Sequence, residues 1–177
     1  MNELLTPQEL AQYLKMNRAT VMRKARSGEI PSIKIGKQFR FDKDRVDGWL
    51  LQKTVGRSLH ILVVDDEPAI GQLFKDGLGR NGIQVTATES SSEALKLAAK
   101  SHFDLIFLDL VMPEIDGSEL FRRIRDIDKH VPVTIMTGYS DTDLMKEAME
   151  QAPFLVMVKP FGVEDILGVI RVFAQMP

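Results

Sequence analysis

The chain has no cysteine, one tryptophan and no hydrophobic run of membrane-spanning length. The absence of cysteine excludes disulfide bonds and thiolate metal sites, and it is typical of a protein of the reducing cytoplasm. The opening MNELLTPQELAQYLK lacks a basic region followed by an apolar core, so we expect no secretory signal and no membrane association. The 177 residues, 44% hydrophobic and 27% charged, have the composition of a soluble globular protein with one or two domains.

Charge is divided unevenly along the chain. Residues 1–58 contain 12 Lys and Arg and 6 Asp and Glu, a net charge of +6, whereas residues 59–177 contain 11 and 19, a net charge of −8. This asymmetry predicts two modules, of which the first suits a polyanion. We place the first domain at residues 1–52 and the second at 59–177. The polar segment KTVGRS at 53–58 is either a linker or a helix tail.

The second module alternates apolar strands with helical segments, which is the pattern of a parallel sheet covered by helices. The carboxyl ends of such strands border the crevice in which these folds bind ligands. Polar residues follow four of the strands, namely Asp65 and Asp66 after LHILVV, Asp109 after FDLIFL, Thr137 after VPVTIM and Lys159 after FLVMV. Three carboxylates in one crevice are unfavourable without a cation, and oxygen ligands favour a hard ion such as Mg²⁺.

In residue type, order and strand-end position, these five residues resemble the response-regulator receiver domain (CheY-like). The resemblance covers about Leu59 to Met176. It implies an α/β fold of the flavodoxin-like class, a doubly wound parallel sheet of five strands in the order 2-1-3-4-5.

The same resemblance implies a role for each of the polar residues. Asp109 is the expected phosphoacceptor, and Thr137 and Lys159 are expected to contact the phosphoryl group. The metal, Mg²⁺, is expected to be held by a set of oxygen ligands: Asp66, Asp109 and the backbone carbonyl of Val111, with Asp65 acting through water. No external substrate is expected, because such a protein catalyses only its own phosphorylation and dephosphorylation.

Four positions near the expected site bear on switching and lifetime. Val156 stands where the family often has an aromatic residue, and Gly138 stands where alanine is usual. These departures concern the family's threonine–aromatic switch rather than phosphorylation itself. Val111 and Tyr139 flank the path of an attacking water in the family, so we expect a persistent acyl phosphate.

The first module reads as two short helices, a hairpin and a closing helix. Thr6 is a predicted N-cap for the first helix, and the second helix is predicted from about Arg18 to Arg26. Apolar residues alternate on both sides of Gly36-Lys37, which predicts a hairpin whose polar face carries Lys34, Gln38 and Arg40. Asp42 is placed to cap the last helix.

This order of elements resembles a winged helix-turn-helix of the MerR and excisionase type over Met1 to about Gln52. In such modules the second helix enters the major groove of DNA and the wing contacts the backbone or minor groove. The expected DNA-contacting residues are therefore polar residues of the second helix and the wing: Arg18, Thr20, Arg23, Lys24, Lys37, Gln38 and Arg40. The alternative is a basic, solvated face on a small protein-binding domain.

Together the two resemblances predict a two-component response regulator that is phosphorylated on Asp109 and controls DNA binding and transcription. The expected partners are a histidine kinase or phosphotransfer protein, double-stranded DNA, and a second copy of the chain when phosphorylated. The alternative is a phosphorelay component or signalling adaptor whose N-terminal module binds protein.

Overall fold

The structure is a computed structural model and describes residues 4–55, 58–79, 82–138 and 142–174. The chain forms two compact units, one made mainly of residues 1–57 and the other of residues 58–177. Among the described residues, no helix is long and apolar enough to cross a membrane.

The N-terminal unit packs three helices against a three-stranded antiparallel sheet of order β1-β3-β2. Strand β1 was not predicted, because two residues are too short to show a period. It joins the sheet through pairing of Leu5 with Phe41, and both side chains are buried. The elements of this unit are β1 (Leu4–Leu5), α1 (Pro7–Tyr13), α2 (Arg18–Arg26), β2 (Ile33–Ile35), β3 (Gln38–Asp42) and α3 (Lys43–Val55).

The predicted helix starts are confirmed by their caps. The Thr6 hydroxyl accepts from the Glu9 amide at 3.3 Å, and the Glu9 carboxylate accepts from the Thr6 amide at 2.7 Å, which is a capping box. Asn17 caps α2 by accepting from the Ala19 amide at 2.7 Å. Helix α3 ends at Val55, so that the first half of the predicted linker is a helix tail.

The predicted faces of the hairpin are wrong. The register places Ile35 opposite Gln38 and Ile33 opposite Arg40, and cross-strand partners share a face. Lys34 is opposite Phe39 and therefore does not share a polar face with Gln38 and Arg40. The reason is that the two-residue turn at Gly36-Lys37 pairs odd positions of β2 with even positions of β3.

The second unit is a five-stranded parallel sheet of order β5-β4-β6-β7-β8, which confirms the order 2-1-3-4-5 expected from the resemblance. Its strands are β4 (His60–Val64), β5 (Gln84–Thr88), β6 (Leu105–Asp109), β7 (Val133–Thr137) and β8 (Leu155–Val158). Its helices are α4 (Pro68–Gly79), α5 (Ser91–Lys100), α6 (Gly117–Ile127), α7 (Thr142–Glu150) and α8 (Val163–Ala174).

The centre of this sheet is fully buried. All residues of β6 and β7 are buried, and Phe74, Phe107 and Phe121 are fully inaccessible to solvent. Each such aliphatic or aromatic side chain contributes about 1.5–3 kcal/mol when it leaves water. The strands are therefore held rigidly, and the polar residues at their carboxyl ends are held with them.

Candidate functional site

Three aspartates meet at the carboxyl edge of the parallel sheet. Asp65 and Asp66 directly follow β4, and Asp109 is the last residue of the neighbouring strand β6. One carboxylate oxygen from each lies within 4.8 Å of the other two. Asp65 and Asp109 are buried, whereas Asp66 is exposed. The structure thus brings together the three carboxylates that the strand ends predicted.

Lys159 reaches this cluster from the end of β8. Its ammonium Nζ donates to Asp109 Oδ2 at 2.7 Å and to Glu67 Oε1 at 3.3 Å. It also lies 2.9 Å from Asp65 Oδ2, an ion pair outside the angle of a good hydrogen bond. The Lys159 backbone amide donates to the Thr137 carbonyl at 2.7 Å, which holds the Lys159 backbone beside the end of β7.

Burial and charge act in opposite directions on these groups. Burial raises the pKa of the Asp65 carboxyl, although its contact with Lys159 opposes the shift. For Lys159, burial alone would lower the pKa, but contact with Asp109 and Asp65 outweighs it and raises the pKa above its ordinary value. The ammonium therefore stays charged, and one positive charge faces four carboxylates when Glu67 is included.

Thr137, at the end of β7, and Val111, in the loop after β6, lie at the same edge of the sheet. Thr137 is the buried last residue of β7, and its hydroxyl donates to the Gly138 carbonyl at 3.0 Å. The Val111 amide donates to Asp109 Oδ1 at 3.2 Å, and the Val111 side chain is 51% exposed. The role of the Val111 carbonyl as a metal ligand stays a prediction. Tyr139, predicted to restrict water, lies outside the described residues.

Gly117, to which sequence reasoning gave no role in the site, sets the position of the loop that follows Asp109. Its amide donates to the Leu110 carbonyl at 2.8 Å, directly after Asp109. A Cβ atom on Gly117 would collide with the Asp109 carbonyl oxygen and with the Leu110 Cα. Asp116 caps the helix that follows, accepting from the Glu119 amide at 2.8 Å. Helix α6 can therefore begin against the strand end only because residue 117 lacks a side chain.

Glu67 is the second residue that sequence reasoning did not assign. It is well exposed, yet its carboxylate contacts Lys159. Its place directly after the Asp65-Asp66 pair was the available signal. The signal was weak, because contact with Lys159 depends on how the loops after β4 and β8 approach each other.

The predicted DNA-contacting residues lie on α2 and the hairpin, and they differ in exposure and in side-chain contacts. Arg18 and Arg23 are exposed, whereas Lys24 forms an ion pair with Glu29. On the hairpin, Arg40 donates to Gln38 Oε1 at 2.8 Å. The remaining predicted contacts are one half-buried residue and one exposed residue, Thr20 and Lys37.

Comparison with known families accounts for both units. Residues 61–171, well over half of the chain, match the family model of the response regulator receiver domain. The chain belongs to this family. Residues 4–54 match the family model of a helix-turn-helix domain. A receiver domain joined to a helix-turn-helix domain is the composition of a two-component response regulator with a DNA-binding output.

Individual relatives match mainly in the receiver domain. Sporulation initiation phosphotransferase F of Bacillus subtilis is 31% identical over 116 residues, covering 66% of this chain and 94% of that protein. The response regulator protein FleR of Pseudomonas aeruginosa is 34% identical over 119 residues, and the transcriptional regulatory protein TrcR of Mycobacterium tuberculosis is 29% identical over 121 residues. These two matches cover 66% and 68% of this chain, but only 25% and 47% of the two relatives.

Solved structures agree with the receiver fold. A receiver domain from Clostridium thermocellum superposes with a TM-score of 0.61 at 32% identity, covering 66% of this chain and 94% of that one. A response regulator from Burkholderia pseudomallei gives a TM-score of 0.59 at 28% identity, covering 67% of this chain and 69% of that one. The Burkholderia structure contains a phosphorylated aspartic acid, a calcium ion and citrate.

Proposed function

We propose that a histidine kinase or phosphotransfer protein phosphorylates this response regulator on Asp109, and that phosphorylation controls DNA binding by the N-terminal unit. The observation that carries the proposal is the cluster at the end of β6. There a buried carboxylate faces one ammonium group and two further aspartates, in a chain that also has a helix-turn-helix domain.

The acidic cluster fits Mg²⁺. Its donors are carboxylate oxygens from Asp65, Asp66 and Asp109, the ligand type that Mg²⁺ prefers, and they already lie within 4.8 Å of one another. The site places four carboxylates near the single ammonium group of Lys159, so its net charge is negative. When bound, Mg²⁺ would neutralise phosphoryl oxygens that approach the acids. The Burkholderia relative, with its calcium ion and phosphorylated aspartic acid, supports this assignment.

The chain's own residues account for the rest of the chemistry. An Asp109 oxygen forms a bond to phosphorus while the bond from phosphorus to the donor nitrogen breaks, giving an acyl phosphate. Lys159 already donates to Asp109, and its charge would stabilise the incoming phosphoryl group. Thr137 would turn its hydroxyl from the Gly138 carbonyl to a phosphoryl oxygen. The chain would act only on its own phosphorylation and dephosphorylation.

The N-terminal unit would supply the output. Helix α2 exposes Arg18 in its first turn and Arg23 in its last turn, and the unit's segment of the sequence has a net charge of +6. These features fit a helix that enters the major groove of DNA. Phosphorylation would pair two receiver domains, so that two helix-turn-helix domains contact a two-fold operator.

The test is DNA binding by the full chain with Mg²⁺ and acetyl phosphate. Duplexes selected from a random 30-base-pair pool would be titrated by fluorescence anisotropy against wild type, Asp109→Ala and the control Asp126→Asn. We expect phosphodonor to tighten binding for wild type and the control, and to leave Asp109→Ala unchanged. Equal binding by wild type and Asp109→Ala would refute the proposal. Failure to select any duplex would favour the adaptor alternative.

A further inference from the structure

Glu67 holds a position at the acidic cluster that neither metal binding nor phosphate acceptance requires. Its carboxylate lies 3.3 Å from the Lys159 ammonium, and its side chain is 63% exposed. The other two acids in contact with this ammonium are Asp65 and Asp109, whose side chains are only 1% and 5% exposed. Glu67 therefore contacts Lys159 from the solvent side, which is the side from which a phosphodonor approaches.

The backbone holds Glu67 at this entrance. Its amide donates to Asp65 Oδ1 at 3.0 Å, and its carbonyl accepts from the Ile70 amide at 3.0 Å. Residue 67 is thereby tied to the acidic cluster and to the first turn of α4, which begins at Pro68. Because the side chain is exposed, its carboxylate can turn away from Lys159 and remain at the entrance.

The charge of Glu67 is not cancelled by its surroundings. Among the described residues, the acids grouped closely enough to hold a metal ion are the three aspartates of the cluster, and Glu67 is not one of them. It also lines a cavity of about 180 Å³ whose other charged residues are Asp65, Lys75 and Glu89. Five carboxylates thus lie around the cluster and the cavity, against the two ammonium groups of Lys75 and Lys159. An approaching anion therefore meets net negative charge even when a divalent cation is bound.

We infer that Glu67 is a specificity-determining residue that selects the class of phosphodonor: it disfavours small anionic donors such as acyl phosphates and favours a phosphohistidine flanked by a basic side chain of a donor protein. This inference rests on the proposed phosphorylation of Asp109 and deepens it. A cation of the donor would pair with Glu67 and leave the Lys159 ammonium to a phosphoryl oxygen. A donor without such a cation approaches against the repulsion of the carboxylate.

The transfer itself is the same for both classes of donor. An Asp109 oxygen forms a bond to phosphorus in each case. With phosphohistidine the phosphorus–nitrogen bond breaks, and the imidazole takes up a proton from solvent as it leaves; with acetyl phosphate the phosphorus–oxygen bond breaks and acetate leaves. Glu67 takes part in neither bond change. Its replacement should therefore alter the ranking of donors more than the maximal rate.

The experiment measures initial rates of phosphorylation of the full chain at saturating Mg²⁺, by intact mass spectrometry over a range of donor concentrations. The donors are acetyl phosphate and two short phosphohistidine peptides that differ only in the residues flanking the histidine, arginine in one and glutamine in the other. The variant Glu67→Gln removes the charge and keeps the size of the side chain. Its matched control is Glu150→Gln, the same change at an exposed glutamate at the end of α7. Thermal unfolding should be nearly the same for all three proteins.

We expect Glu67→Gln to raise kcat/KM for acetyl phosphate by about two- to fivefold, mainly through KM, and to lower it for the arginine peptide by a similar factor. Wild type and Glu150→Gln should prefer the arginine peptide to the glutamine peptide, and Glu67→Gln should lose most of this preference. Higher salt should narrow these differences, because the carboxylate is exposed.

Three results would overturn the inference while the proposed function stands. They are equal use of the two peptides by wild type, the same ranking of the three donors by wild type and Glu67→Gln, and an equal change of rate with all donors in Glu67→Gln. The last of these would indicate that Glu67 only supports the structure of the loop. If no donor labels Asp109 of the wild-type chain, the proposed function itself fails.

Discussion

Lys159 is the residue on which the electrostatic balance of the acidic cluster depends. Its ammonium contacts Asp65, Glu67 and Asp109 at 2.9, 3.3 and 2.7 Å. It therefore lowers the repulsion among these acids and lies where a phosphoryl oxygen would arrive. The sequence pattern predicted that Lys159 follows a strand. Its simultaneous contact with three carboxylates depends on the register of the strands and on how the loops after β4 and β8 approach each other, which no local pattern encodes.

Replacing this ammonium should slow phosphorylation without abolishing metal binding. Lys159→Met keeps the length of the side chain and removes the charge, so phosphorylation by acetyl phosphate should slow by about 100-fold. Mg²⁺ affinity should be unchanged or higher, because the competing cation is gone. Both are measurable, by intact mass spectrometry and by isothermal titration. Lys96→Met, an exposed lysine on α5, is the control; equal phosphorylation rates in the two variants would contradict the role of Lys159.

Gly117 shows how a single residue without a side chain positions Asp109. Because a Cβ atom would collide with the backbone of Asp109 and Leu110, Gly117→Ala must move the strand end or the start of α6. We expect a loss of about 1–3 kcal/mol in the free energy of unfolding. Gly168→Ala in α8, where nothing lies within 4 Å, should instead stabilise by about 0.5–1 kcal/mol. Urea unfolding measures both; similar values for the two variants would disprove the crowding at Gly117.

At the scale of elements, sequence patterns predicted long, periodic segments well and short ones poorly. Helix α2 has its predicted bounds, Arg18–Arg26, because an Asn cap precedes it and a Ser-Gly pair follows it. Strand β1 was missed because two residues carry no period, and its place is decided by pairing with β3. The faces of the hairpin were assigned wrongly because alternation within each strand does not show which residues of the two strands the turn brings opposite each other.

Helix α2, the proposed recognition helix, forms an ion pair that should restrain DNA binding. Lys24 on α2 pairs with Glu29 just beyond the helix, so this lysine must leave a carboxylate to contact phosphate. Glu29→Gln should therefore bind duplex DNA several-fold more tightly and show a steeper dependence on salt, because one more counterion is released. Glu93→Gln on α5 makes the same charge change in the other unit. Anisotropy titrations at several salt concentrations distinguish the two; identical curves would contradict the restraint.

At the scale of the whole molecule, the chain joins a basic module of +6 to an acidic module of −8. The uneven distribution of charge predicted the two modules, and the polar residues that follow the strands predicted the members of the acidic cluster. The resemblance to known families supplied the phosphoacceptor role and the winged helix-turn-helix role. What could not be read is how the partners are chosen, because an operator and a kinase are recognised by surfaces whose shape depends on tertiary packing.

The central claim is that Asp109, held among Asp65, Asp66 and Lys159, accepts phosphate with the help of a divalent cation. The most direct measurement treats the full chain with acetyl phosphate and Mg²⁺, reduces the acyl phosphate with borohydride, and locates the resulting homoserine by peptide mass spectrometry. We expect homoserine at position 109, and none after chelation of the metal or in Asp109→Ala. Homoserine at another carboxylate, or equal labelling of Asp109 without metal, would contradict this account.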